Sequence, residues 1–279
     1  MSHELRKRGS GFSLGARAAS QGYRLHAFDE IGSTNAEALA QARTGEQGPV
    51  WLVTDQQSSG RGRRNRAWMS PTGNLACSVL EVMPVAPPVA ATLGFAAGLA
   101  LDAALDRISI EARLRAAGAD AVQFKLKWPN DVLANGRKLS GILLEADVIA
   151  PDRLAVVVGI GVNVVAAPDG LPYPATSLKD CGVNAGAEDL FSALSDAWAE
   201  FRCIWNLGRG FEDIRRRWLD RAAGLGERVS IHTGNATVDG MFDTIDETGC
   251  MIVITADNRR VPVAAGDVYF GTAASARSN

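Results

Sequence analysis

Lys125-Leu126-Lys127-Trp128-Pro129-Asn130-Asp131 is where the chain declares its architecture. Residues 122–128 alternate, with Val122, Phe124, Leu126 and Trp128 on one face and Gln123, Lys125 and Lys127 on the other. A period of two with one apolar face predicts a half-buried strand. Pro129 ends it, because proline has no N–H to continue a ladder. Residues 131–144 then read as a hairpin turning at Asn135-Gly136, a pair suited to the positive φ angles of a tight two-residue turn. Lys127 therefore stands at a strand end, on the polar face.

Working upstream, residues 75–82 predict a strand, and Pro87-Pro88 opens an apolar helix running to about residue 107. Its apolar run, 89–101, stops at Asp102, well short of the ~20 residues a membrane span needs. Gly94 and Gly98 leave room for a packed neighbour. Residues 50–54 are apolar and β-branched and predict another strand. Thr34 and Glu37 have capping-box spacing ahead of a helix over 36–43, with Gly45 as its stop. Downstream, residues 154–160 predict a fully buried strand, and 188–206 and 211–223 predict amphipathic helices. Beyond Gly224-Leu225-Gly226 the pattern changes to short strands near 228–232, 237–245, 251–255, 260–263 and 268–270. That spacing predicts a small β-barrel of about 50 residues. The expected division is a disordered arm over 1–21, a main domain over 22–225 and a barrel over 226–273.

The strand at 50–54 feeds Gly60-Arg61-Gly62-Arg63-Arg64-Asn65-Arg66, which carries four arginines in six residues. No acidic residue lies between Asp55 and Glu81 to neutralise them. Guanidiniums present planar donor forks matched to phosphate or carboxylate. A nucleic-acid patch and a small-anion site both fit the loop alone. The formal charge of the chain is −2, whereas a general nucleic-acid binder carries a net basic surface. The balance favours a small anionic ligand. The 4 cysteines are far apart without metal-ligand spacing, as expected of reduced thiols in a cytoplasmic protein. The basic N-terminus lacks the apolar core of a secretory signal. His3, His26 and His232 stand alone, so no Ser/His/Asp arrangement is expected.

Four segments in this order and spacing resemble the biotin protein ligases. They are Gly32-Ser33-Thr34-Asn35; Gln57-Ser58-Ser59-Gly60-Arg61-Gly62-Arg63-Arg64; Lys127-Trp128-Pro129-Asn130-Asp131 with Lys138-Leu139-Ser140-Gly141-Ile142-Leu143; and Gly159-Ile160-Gly161-Val162-Asn163. The resemblance spans residues 24–272, and the GRGRR and KWPND segments together make it specific. It implies an α+β fold, a mixed β-sheet flanked by helices, related to class II aminoacyl-tRNA synthetases, with an SH3-like C-terminal barrel. It implies ATP-dependent activation of biotin to biotinyl-5′-AMP and transfer to a lysine of a carboxylase carrier domain, with biotin and ATP as substrates and Mg²⁺ as cofactor.

Roles follow by motif position. Lys127 is expected to bridge the biotin carboxylate and the α-phosphate, with Arg63 as its catalytic partner. Ser33, Thr34, Asn35, Gln57, Gly60, Arg61, Gly141 and Gly159 are expected around biotin. Arg61, Arg63, Arg66, Trp68, Asn130 and Asn163 are expected around ATP, with Asn163 reading the adenine edge and Trp68 anchoring the loop. Asp131 is the expected Mg²⁺ ligand. The loop over 58–68 is expected to be mobile until ligand arrives. Only 32 residues precede Ser33, so the ligase-only form is expected, without a DNA-binding domain, DNA partner or membrane; a homodimer is left open. The competing enzyme is a lipoate or octanoate ligase on the related fold.

Overall fold

The computed structural model describes residues 11–115, 121–171, 173–234 and 236–270. Its elements are α1 (Ala16–Ser20), β1 (Arg24–Ala27), α2 (Thr34–Arg43), β2 (Val50–Thr54), β3 (Leu75–Met83), α3 (Pro87–Ala91), α4 (Leu93–Arg115), β4 (Phe124–Lys127), β5 (Asp131–Ala134), β6 (Arg137–Ala150), β7 (Arg153–Val162), α5 (Ala187–Trp205), α6 (Phe211–Asp220), β8 (Arg228–His232), β9 (Thr237–Ile245), β10 (Met251–Ile254), β11 (Arg260–Val263) and β12 (Asp267–Phe270).

The first seven strands form one sheet in the order β1-β2-β3-β7-β6-β5-β4. β1 and β2 are parallel and the remaining pairs antiparallel, so the sheet is mixed as expected. The β5–β6 turn falls on Asn135 and Gly136 at φ 49° and 77°, and Ala134 pairs with Arg137 across it. β3, β7 and β6 form the centre, with Ser78 opposite Gly159 and Gly159 opposite Leu143. That row becomes the floor of the site. α4 lies across the sheet as the core helix. By length and composition the stretch Pro87–Arg115 resembles a membrane span, yet 72% of its most apolar window is buried inside the fold. Gly98 lets Trp218 of α6 approach to 3.3 Å of where a Cβ would stand; Gly94 has nothing near it.

Three readings change. The α2 N-cap is Ser33, whose Oγ accepts from Ala36 N, and Thr34 is already helical. The apolar helix extends to Arg115 and is broken into α3 and α4 at Thr92. The segment after residue 10 is not a disordered arm. Phe12 packs edge-on against Phe191, with 5.7 Å between centroids. Gly15 N donates to Ser195 Oγ and Ala18 N to Asp196 Oδ1, docking α1 on α5. Gly/Ser-rich composition hid a short helix whose partner lies 180 residues away. Residues 1–10 of the expected arm lie outside the described residues.

The C-terminal strands form a five-stranded antiparallel sheet in the order β11-β10-β9-β8-β12. Its connection to the main sheet is pinned by hydrogen bonds. Leu126 N donates to Arg221 O and Ala223 N to Leu126 O. Trp128 Nε1 donates to Gly249 O. Gly224 and Gly226 adopt φ 75° and 76°, and a Cβ on Gly224 would lie 2.4 Å from the Phe270 ring. The Gly-Leu-Gly joint thus brings β12 onto the end of β4, beside Lys127.

Candidate active site

A cavity of about 400 Å³ opens at this junction. Its floor is β3, β6 and β7, one end is the start of α2, the roof is the arginine loop, and β12 closes the far side. Of the expected site residues, Ser33, Thr34, Asn35, Gln57, Arg61, Arg63, Arg66, Trp68, Lys127, Asn130, Asp131, Gly141 and Gly159 all line it. Gly60 and Asn163 do not.

The α2 end is a buried polar cluster. Thr34 N donates to Gln57 Oε1 at 2.8 Å, and Thr34 Oγ1 lies 3.2 Å from the same oxygen. Ser78 Oγ lies 2.7 Å from Thr34 Oγ1 and 2.6 Å from Asn35 Oδ1. Asn35 Nδ2 donates to Leu143 O at 3.2 Å and to Glu145 Oε2 at 2.8 Å. The Asn35 amide lies over Gly159, where a Cβ would come within 2.1 Å of its Oδ1. Gly159 therefore makes room first for a protein side chain. The same holds at Gly161 and Gly141, where a Cβ would meet the Trp68 indole at 2.4 and 3.3 Å. Gly60 clears Trp68 O and the Gln57 amide.

The roof is a small closed hairpin. Trp68 N donates to Gly60 O and Gly62 N to Arg66 O. Arg64 turns the chain at φ 55°. Its guanidiniums reach three walls. Arg61 pairs with Glu145 at 3.3 Å. Arg63 donates to Asn130 Oδ1 at 3.0 Å. Arg64 and Arg66 both meet Asp267 Oδ2 at 2.9 Å. Burial opposes the Asp267 charge, but the Arg66 hydrogen bond and the nearby arginines hold its carboxyl below the usual range. Asn130 also donates to Ile142 O at 2.7 Å, tying the segment after β4 to β6.

Lys127 forms no ion pair among the described residues. Its Nζ lies 5.4 Å from the Phe270 ring centroid, a favourable placement for a cation over an aromatic face. Burial lowers its pKa, with Asp131 opposing and Lys138 reinforcing the shift. A desolvated ammonium without a carboxylate partner is primed to receive an anion.

Two of the expected residues have protein partners here. Asn163 is 2% exposed and donates through Nδ2 to Thr176 O. It braces the end of β7 beneath the cavity, and its Oδ1 has no hydrogen-bond partner among the described residues. Asp131 is committed to Lys138 Nζ at 2.7 Å, and among the described residues no three His, Cys, Asp or Glu side chains converge. No step below runs through Mg²⁺. Ser78, Glu145 and Asp267 were not among the residues expected from the sequence. Ser78 was detectable as a polar residue in the largely apolar β3, whereas Glu145 sits in a strand with several other charged residues. Asp267 carries no local signal.

Known proteins resemble this chain in sequence and in fold. The model of the Biotin/lipoate A/B protein ligase family matches residues 29–163, and that of the biotin protein ligase C terminal domain matches 224–271. The biotin–[acetyl-CoA-carboxylase] ligase of Paracoccus denitrificans is 39% identical over 245 residues, 86% of this chain and 97% of that protein. The biotin protein ligase from Aquifex aeolicus, solved in complex with biotin and ATP, superposes with a TM-score of 0.70 at 24% identity, over 89% of this chain and 99% of that one. The Leishmania major biotin protein ligase, solved in complex with biotinyl-5-AMP, gives 0.57 at 25% identity, over 87% and 99%.

Proposed function

This chain belongs to the biotin/lipoate A/B protein ligase family, among the biotin protein ligases, and from that premise we propose how its cavity works. The enzyme activates biotin with ATP and transfers it to a carrier lysine. A biotin carboxylate oxygen attacks the α-phosphorus of ATP, and the bond to pyrophosphate breaks. The carrier amine then attacks the acyl carbon of biotinyl-5′-AMP, loses a proton and expels AMP.

The observation that carries the reading is the separation of two environments in one cavity. At the α2 end, buried hydroxyls and amides over an apolar floor suit a ureido ring and its aliphatic chain. At the other end, Lys127, Arg61, Arg63 and Arg66 face a space suited to a carboxylate meeting a triphosphate. Two anions repel, so fixed cations aimed at the developing charge lower the barrier. Lys127 lies between the two ends and bridges them; Arg63 holds the phosphates, positioned by Asn130. Trp68, seated on Gly141 and Gly161, closes the roof over the reacting centre. Residues 22–225 carry this chemistry, and 226–273 contribute β12 to the wall. The near-zero net charge fits work in the cytoplasm on a small substrate and a protein carrier.

The test is labelling of a carrier domain by the purified protein. Biotin and ATP together should add biotin to the carrier lysine and release AMP, with no product when either is omitted. Equal use of lipoate would move the assignment to the related ligases.

A further inference from the structure

We infer that Glu145, two residues beyond the Lys138–Leu143 segment, is a positioning residue that helps set the proton polarity of the biotin end and couples it to the arginine loop. The inference rests on the biotin reading above. Its Oε2 accepts from Asn35 Nδ2 at 2.8 Å and from Arg61 at 3.3 Å. It therefore joins the floor network to the roof.

The argument is a count of hydrogens. An amide has two N–H donors, and Asn35 gives them to Leu143 O and Glu145 Oε2. Both acceptors lack hydrogens, so the amide cannot be flipped without facing oxygen against oxygen. Asn35 Oδ1 must then accept, and Ser78 Oγ at 2.6 Å supplies the proton. Ser78 has a single hydroxyl hydrogen. At its 2.7 Å contact with Thr34 Oγ1 it can only accept, so Thr34 donates its single hydroxyl hydrogen there and not across the longer 3.2 Å contact to Gln57 Oε1, an oxygen that Thr34 N already serves. The Thr34 oxygen is left as an acceptor, with its lone pairs available to the cavity. A ureido ring offers N–H donors that need such an acceptor. Ser78 is fully buried and Asn35 and Thr34 nearly so, which leaves water little access to scramble the wiring. Glu145 and the Leu143 carbonyl together fix its sense, and Glu145, at the shorter 2.8 Å distance, is the one that a substitution can remove.

The two partners of Glu145 separate under substitution. E145Q can still present an amide oxygen to Asn35 but loses the charge facing Arg61. E145A loses both. Biotin affinity by titration calorimetry and KM for ATP are measured for the wild type, E145Q, E145A, N35A and the E145A/N35A double variant, with thermal midpoints alongside. E145A is expected to weaken biotin about 10-fold, the scale of one hydrogen bond to a charged group. E145Q is expected to stay within about 3-fold of wild type for biotin while raising KM for ATP by about 3-fold, the scale of an exposed ion pair. The double variant should bind biotin no worse than N35A, since both substitutions interrupt one chain. Wild-type biotin affinity in E145A, additive losses in the double variant, or parallel loss of both ligands in E145Q would overturn the inference. A wild-type protein that does not bind biotin would instead remove the reading beneath it.

Discussion

The floor and the roof of the cavity are built from the same kinds of polar atoms, but they are held by different physics. The floor is buried and, apart from the Glu145 carboxylate at its edge, its partners are neutral or backbone groups: Ser78 and Asn35 lie over Gly159 between paired strands. The roof is hung on ion pairs whose arginines are 40% to 59% exposed at Arg64, Arg61 and Arg66. Leaving a buried donor or acceptor unpaired costs about 1–3 kcal/mol, whereas an exposed ion pair is worth about 0–1 kcal/mol. The biotin end is therefore preformed. The phosphate end is held by contacts that phosphate oxygens can replace at little cost, which suits a roof that must admit ATP and release AMP.

Lys127 gives the contrast its sharpest test, since it belongs to neither set. K127A should leave the thermal midpoint nearly unchanged, because the ammonium has no protein anion to lose. Adenylation should slow by about 10²–10³-fold, the usual consequence of removing one preorganised charge-stabilising contact. Single-turnover formation of biotinyl-AMP measures it; a near-normal rate would remove Lys127 from the mechanism.

The next effect falls on the floor. G159A places a methyl group 2.1 Å from Asn35 Oδ1. The amide must swing away or the strand must shift, at a cost of about 1–3 kcal/mol in stability. Biotin affinity should fall by about 10-fold or more as the network opens. Wild-type affinity with unchanged stability would show that the floor yields as readily as the roof.

The roof should respond differently. R63A removes the link to Asn130 Oδ1 and a guanidinium proposed to hold phosphate. Biotin affinity without ATP should change less than about 3-fold, the scale of a peripheral polar contact. Biotinyl-AMP should escape into solution several-fold faster, read by trapping of the released adenylate. Equal losses for biotin and adenylate would erase the distinction between the two ends.

How far these regions were legible in the sequence follows the same division. Residues 124–144 carry strand period, proline stop and turn chemistry within a few positions, so Lys127 and the hairpin were readable locally. The C-terminal strands were readable for the same reason. The identity of the floor residues was half visible: the Ser33-Thr34-Asn35 motif marks the α2 end, but that Asn35 is spent on Ser78 and Glu145 follows from the register of β3, β7 and β6. Asn163 sits in a motif, yet its strand end turns it inward to Thr176. The roof misled most, because its charge pattern omits its partners. Arg64 and Asp267 are 203 residues apart, and nothing near either predicts the other.

That long-range contact yields the smallest expected effect. D267N removes the carboxylate shared by Arg64 and Arg66, so its cost should be about 0–1 kcal/mol in stability. The loop should nonetheless loosen, because one residue anchors two of its arginines from the C-terminal sheet. Hydrogen exchange at residues 61–66 should rise several-fold while that of β3 and β7 stays fixed. The pH dependence has a definite sign. The folded-state carboxyl is held below the usual range, so its contribution is fully present above the ordinary aspartate pKa of about 3.9 and fades as pH falls through the lower folded value. Wild-type loop exchange, corrected for its intrinsic rate, should therefore approach that of D267N only in acid, whereas at neutral pH the two should differ. Identical loop protection at pH 7 would mean that backbone bonds such as Gly62 N to Arg66 O hold the roof unaided, and that floor and roof are less different than their partners imply.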